Sequence, residues 1–323
     1  MSTMFTTLAE KLQGVKKAIV FPESLDERIL IAASKLSAER LLTPILIGDA
    51  VEIKHHAKEL GVTIDNCEIV NPKEFLEFDL MVDTFVDRRA GKATKEQAEE
   101  ILLDANYFGT MLVYMNQADG LVSGAVHSTG DTVRPALQII KTKAGIQKTS
   151  GVFIMVRDED TYVFGDCAIN IAPDHEDLAE IAIESAATAR MFGVDPRVAM
   201  LSFSTKGSAK SPETEQVLAG LALAKKKDPN LLIDGEFQFD AAIVPRVAEQ
   251  KAPTSTIQGD ANVFIFPNLD AGNIGYKMAE RLGGFEAVGP ILQGLNQPVN
   301  DLSRGCSAED VYKLAIITAV QAT

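Results

Sequence analysis

Short apolar runs alternate with segments of helical period along almost the whole chain. Strands separated by helices dictate parallel sheets, because a parallel crossover needs a dozen or more residues and a helix supplies them. Ala18-Ile19-Val20-Phe21 is the first run. Ser24 and Glu27 then form a capping box ahead of the helical ERILIAASKLSAER. Pro44-Ile45-Leu46-Ile47-Gly48 is the next strand, followed by a helix carrying the adjacent His55 and His56. Residues 73–89 and 94–117 read as two or three successive helices, with Thr94 and Gln97 as another capping box. Gly120-Leu121-Val122-Ser123-Gly124 is a strand running into a Gly/Ser/Thr loop, and a helix with Arg134 and Pro135 follows.

Near residue 145 the pattern changes. Gly151–Val156 and Tyr162–Gly165 flank the polar Arg157–Asp160 and read as a hairpin. A long helix over 174–192 comes next, and the alternation resumes. Strands are expected at 198–204, 231–233, 263–266 and 286–292. Helices are expected from Pro212, over 241–250, over 272–282 and from Ala308 onward. The fold class is therefore α/β: two domains, each a mostly parallel sheet flanked by helices. A length of 323 residues agrees with two domains.

Charge narrows the function. Lys and Arg number 31 and Asp and Glu 45, so the net charge is −14. That sign argues against broad binding to nucleic acid or anionic membrane. It leaves room for an anionic small ligand, since a few arginines reverse the field locally. Cys67, Cys167 and Cys306 lie far apart, form no C-x-x-C and fit a reducing compartment. The N-terminal MSTMFTTLAEKLQG lacks the apolar core of a signal peptide, and no run of about 18 apolar residues suggests a membrane span. A cytoplasmic protein is expected.

The common cofactor and catalytic signatures are missing: there is no G-x-G-x-x-G, G-x-x-x-x-G-K-[ST], H-E-x-x-H or G-x-S-x-G. His55 and His56 point to different sides of their helix and do not make a metal pair. Four stretches remain. In DGLVSGAVHSTGDTVR (119–134) a strand end meets a helix start, which suits a phosphate. Ser123, Ser128, Thr129 and Gly130 could donate there and Arg134 add a cation; the same stretch also reads as a plain α/β turn. In PILQGLNQPVNDLSRGCSAED (290–310), a long loop carries Ser303, Arg304 and Cys306. Ser307 and Asp310 make an acidic capping box, which alone could explain Asp310. Arg88-Arg89 with Lys92 ends a helix, where cations are favoured in any case. Ser202–Ser211 is a polar strand end with two lysines.

These stretches resemble one family. PVNDLSRGCSAEDVY (298–312) is similar to the C-terminal signature of the phosphate acetyl/butyryltransferases. GTMLVYMNQADGLVSGAVHSTGDTVRPALQIIKT (109–142) resembles their first-domain signature, and IVFPESLDERIL and YVFGDCAIN also fit. The resemblance implies reversible transfer of acetyl between coenzyme A and phosphate, with the active site in an interdomain cleft. It implies a discontinuous first domain, 1–144 plus 291–323, and a second domain, 145–290, that forms a homodimer. It makes Ser303, Arg304 and Asp310 catalytic and ties Arg88 and Arg134 to substrate binding, with Arg89 a possible substitute for its neighbour. No metal and no bound cofactor are implied; coenzyme A and acetyl-CoA enter as substrates. A butyryl-transferring homologue is the nearest alternative. A metal-dependent dehydrogenase and a non-catalytic binding module are more distant ones.

The residue types suit that chemistry. A thiol with a pKa of about 8.5 is mostly protonated at neutral pH, and Asp310 is the candidate base to take its proton. The thiolate attacks the acetyl phosphate carbonyl, Arg304 meets the phosphate charge with its planar fork, and Ser303 donates to the thiolate or the oxyanion.

Overall fold

The computed structural model describes residues 3–323. They divide into two compact units, one made of the residues up to Lys143 with Leu295–Thr323, the other of Ala144–Gly294.

The first unit opens with α1 (Thr3–Leu12), β1 (Ala18–Phe21), α2 (Glu27–Ala38), β2 (Thr43–Ile47), α3 (Ala50–Glu59) and β3 (Glu68–Val70). Three helices follow in succession: α4 (Phe78–Arg89), α5 (Lys95–Ile101) and α6 (Ala105–Tyr114). They are separate because Ala90 takes a left-handed conformation and Asp104 caps a fresh start. The Thr94–Gln97 capping box forms at the head of α5. The box expected from Ser24 and Glu27 does not form. Asp26 caps α2 instead, and the buried Ser24 hydroxyl donates to the Phe21 carbonyl at the strand end. β4 (Gly120–Ser123) and α7 (Thr129–Ile139) close this part.

The second unit contains β5 (Ser150–Arg157), β6 (Asp160–Gly165), α8 (His175–Met191), β7 (Val198–Leu201), α9 (Pro212–Lys227) and β8 (Ile233–Phe237). α10 (Phe239–Ile243), α11 (Pro245–Lys251), β9 (Val263–Ile265), α12 (Leu269–Gly283) and β10 (Glu286–Gln293) complete it. Its sheet runs β10-β5-β6-β9-β7-β8, with β6, β9, β7 and β8 parallel and β5 antiparallel to both of its neighbours, β6 and β10. The expected helix at 241–250 is two helices. Val244 before Pro245 is extended, as the proline ring requires, and Pro245 starts α11 where its missing N–H costs nothing. The strand expected at 231–233 begins only at Ile233 and runs to Phe237, and the one expected to reach 204 stops at Leu201. Phe153, Phe164, Phe237, Phe264 and Phe266 form much of the core.

β10 stays paired to β5 as far as Gln293, so the chain re-enters the first unit at Leu295 rather than 291. β11 (Val299–Asp301) and α13 (Ala308–Gln321) follow. The first unit's sheet then runs β11-β4-β1-β2-β3, every pair parallel. Gly120 and Leu121 are successive and so face opposite sides of the sheet. A Cβ at Gly120 would lie 2.6 Å from Thr318 of α13; one at Gly109 of α6 would lie 3.0 Å from Leu121. Helices therefore pack closely on both faces. The strand order reverses between β1 and β4, and crevices at such switch points, outside the carboxyl ends of the strands, are where α/β sheets bind ligands.

Candidate active site

Two loops leave the carboxyl ends of the neighbouring strands β4 and β11, where Ser123 is the register partner of Asp301. Leu302 N donates to Ser123 O at 2.7 Å. Gly124 has φ +109°, and a Cβ there would come within 2.4 Å of Asp301 Oδ1 and 2.7 Å of the Leu302 backbone. Only glycine allows both the conformation and the approach.

The backbone amides that open the first loop are taken. Glu23, buried two residues beyond β1, accepts from the N–H groups of Gly124 (3.0 Å), Ala125, Val126 and His127 (each 2.8 Å). Its Oε1 also lies 2.7 Å from His127 Nδ1. A carboxylate from within the chain thus fills the backbone nest. What stays open lies further on, at the start of α7. Ser128, Thr129 and Gly130 are exposed there, and the first amides of a helix have no intrahelical acceptor. Ser128 Oγ donates to Asp131 Oδ2 at 2.7 Å, which lowers the Asp131 pKa. Thr129 Oγ1 donates to Asp301 Oδ2 at 2.6 Å. Arg134 is exposed one turn in, 4.0 Å from Asp131.

The second loop presents Ser303 and Arg304, both exposed. The Arg304 guanidinium has no hydrogen bond or ion pair among the described residues, so it is available to an anion. Asp310 is the third residue of α13 and is exposed. Its Oδ2 accepts from Ser307 N and Ser307 Oγ, each at 2.8 Å, and Ser307 Oγ accepts from Asp310 N at 3.2 Å. The capping box is real. Oδ1 keeps no partner among the described residues, so the carboxylate can cap the helix and still accept a proton.

Arg88 and Ser123 do not join the exposed group. Arg88 donates to the last carbonyls of α7, Nε to Ile139 O at 2.6 Å and Nη2 to Ile140 O at 3.0 Å, and its guanidinium sits over the Tyr114 ring. Arg89 instead shares Tyr107 with Arg134: both charges favour the phenolate, although burial prevails and raises the Tyr107 pKa. Ser123 is fully buried with an unpaired Oγ. Asp301 Oδ1 and Thr132 Oγ1 are also buried and unpaired. Burial lifts the Asp301 pKa to about 6.

Other candidates fall away. Lys206, from the polar stretch at 202–211, is spent on Gly235 O and Asp234, while Glu236 accepts from Ser204 Oγ and Gly207 N. His55 is exposed and His56 half-buried, both near Glu59. Burial pushes the Cys306 thiol up to about 11, away from nucleophile range. The described residues contain no cluster of three or more His, Cys, Asp or Glu arranged for a metal. No described helix is long and apolar enough to cross a membrane. A cavity of about 230 Å³ opens beside the switch point, lined by Glu23, Asp26, Asp49, Glu52, Val126 and His127 among others.

Sequence reasoning missed Glu23, Arg28, His127 and Asp301 as parts of this site. Arg28 links the two loops: it donates to Ala125 O in one and to the Arg304 and Cys306 carbonyls in the other. An acid two residues past a strand end was the available signal for Glu23, but its partners lie about a hundred residues away.

An α/β unit with cationic loops on adjacent parallel strands fits an enzyme acting on anionic substrates. The chain belongs to the phosphate acetyl/butaryl transferase family, whose model matches residues 3–319. It is an acyltransferase. It is 67% identical over 322 residues to the phosphate acetyltransferase of Bacillus subtilis strain 168, covering the whole of both chains. It is 60% identical to that of Staphylococcus aureus strain Mu50, covering all of this chain and 99% of the relative. A solved phosphotransacetylase from Streptococcus pyogenes superposes with a TM-score of 0.97 at 57% identity, over 100% of this chain and 99% of the other.

Proposed function

We propose that the chain transfers acetyl reversibly between coenzyme A and phosphate, and that the β4 and β11 loops of the first unit carry the chemistry. The observation behind this reading is their contact: the α7 start with Arg134 and the segment with Ser303 and Arg304 leave neighbouring strand ends. The relatives above are phosphate acetyltransferases, which does not favour a butyryl preference.

In the direction of acetyl-CoA formation, Asp310 Oδ1 takes the thiol proton and the sulfur attacks the acetyl carbonyl. The C–S bond forms, the bond from carbon to the phosphate oxygen breaks, and phosphate leaves. Arg304 offers a paired N–H fork to the oxygens that gain charge. Ser303 donates to the thiolate or the oxyanion. Arg134, with the amides of Thr129 and Gly130, holds an anionic substrate in its ground state. Ser128 orders that helix start through Asp131. Arg88 serves the same helix from its far end, and Ser123 sits beneath the loop as packing. Coenzyme A is a substrate, and these steps run on the chain's own residues.

We propose a cytoplasmic homodimer, with small molecules as its other partners. Its three cysteines are free thiols. Ile274, Met278 and Leu282 stand exposed at successive four-residue steps along α12, and the exposed Ile171 accepts through its carbonyl from Leu269 N at the start of that helix. A second copy would bury this stripe.

Asp310→Asn tests the central role. Turnover should fall roughly 10²–10⁴-fold with little change in KM, because the base acts in the transition state. Acetyl-CoA consumption in phosphate should be measured beside butyryl-CoA. Near-native turnover would leave Asp310 as a cap alone.

A further inference from the structure

Arg28 lies in the first turn of α2, far in sequence from every residue so far given a chemical role, and all five of its N–H donors are engaged. Nε donates to Asp26 Oδ1 (2.9 Å) and Nη2 to Asp26 Oδ2 (2.7 Å), a paired fork. Asp26 is itself fixed as the α2 cap, accepting from Arg28 N at 2.9 Å. Nη2 also donates to Ala125 O at 2.8 Å. Nη1 donates to Arg304 O at 2.8 Å and Cys306 O at 3.1 Å. Three of the five acceptors are therefore loop carbonyls, one on the β4 loop and two on the β11 loop. The geometry is over-determined: α2 is held by the core, Asp26 by α2, Arg28 by Asp26, and the loops by Arg28.

We propose that Arg28 is a positioning residue that holds the Ser303–Cys306 segment against the β4–α7 loop, and so sets where the Arg304 side chain points. The proposal rests on the assignment of Ser303 and Arg304 to the chemistry. Arg28 touches no substrate; it acts through the backbone of Arg304. Planarity is what the job needs. A lysine has three donors on a point charge and cannot serve Asp26 and three carbonyls at once.

The test is a double-mutant cycle on the full chain: Arg28→Ala, Arg28→Lys, Arg304→Ala, and Arg28→Ala with Arg304→Ala. Each is read as kcat, as KM for both substrates, and as a melting curve. Displacement of a catalytic group by about 1 Å costs on the order of 10²-fold, so Arg28→Ala should lose about that in kcat with KM within about twofold. Arg28→Lys should stay at least about tenfold below the native protein, and it gives the same comparison if the alanine variant does not fold. In the Arg304→Ala background, Arg28→Ala should cost less than about threefold more, because the group it positions is gone. Native kcat in a folded Arg28→Ala protein, with Arg304→Ala inactive, overturns the proposal. So does a double variant whose losses multiply in full. A fully active Arg304→Ala protein removes the underlying assignment, and the proposal with it.

Discussion

Asp301 shows what a single residue gives up to sit at a strand end. Its carboxyl is buried, held by Thr129 on one oxygen and unpaired on the other. Burial raises its pKa from an ordinary 3.8 to about 6. A raised carboxyl favours the protonated native state, so its contribution is complete below about 3.8 and is lost as pH rises through about 6. The change corresponds to about 3 kcal/mol. Asp301→Asn removes the titration. The stability of the native protein should therefore fall relative to the variant between pH 4 and 7, read from urea midpoints at several pH values; a constant difference would mean that Asp301 does not titrate there. Glu23 faces it across the loop, and Thr129, Thr132 and Ser123 surround it. Arg134 is a residue of the opposite kind, exposed and free of packing. Arg134→Ala should raise KM for at least one anionic substrate about tenfold, corresponding to ~1.4 kcal/mol, while the melting curve stays in place. An unchanged KM for both substrates would take Arg134 out of the site.

Among the elements, local signals survived folding where both partners lay in one turn. The Thr94–Gln97 and Ser307–Asp310 boxes formed as their spacing implied. The Ser24 box did not, because the Phe21 carbonyl at the strand end took the hydroxyl first. Pro245 was visible in the sequence, yet the helical period on both sides of it read as one helix. The contact between the β4 and β11 loops belongs at this scale as well. Gly124→Ala places a methyl against Asp301 and the Leu302 backbone at a φ that side chains avoid. It should cost at least about 3 kcal/mol and depress activity with it, measured by denaturant midpoint and turnover. A native midpoint would mean that the two loops can part without loss.

For the whole molecule, the exposed α12 stripe gives the sharpest test. Met278→Asp puts a charge in the middle of Ile274, Met278 and Leu282; light scattering should show a dimer for the native chain and a monomer for the variant. An unchanged mass would move the interface elsewhere. What the sequence determined by itself was what period and short spacing set: the α/β class, most strands and helices of both units though not β3, β11 or the break between α10 and α11, two of three capping boxes, and the two motif-bearing stretches. Those features depend on residues within one or two turns of each other. The tertiary structure alone decided which donors were free. Glu23 fills the amides of Gly124–His127 from about a hundred residues away, and Arg28 reaches the Arg304 carbonyl across 276 residues. The strand order, which sets β11 beside β4, likewise appears only once the sheet assembles. The physical reason is that a backbone carbonyl or amide looks the same at every position in a sequence. Only the folded sheet determines which of them a distant carboxylate or guanidinium will meet.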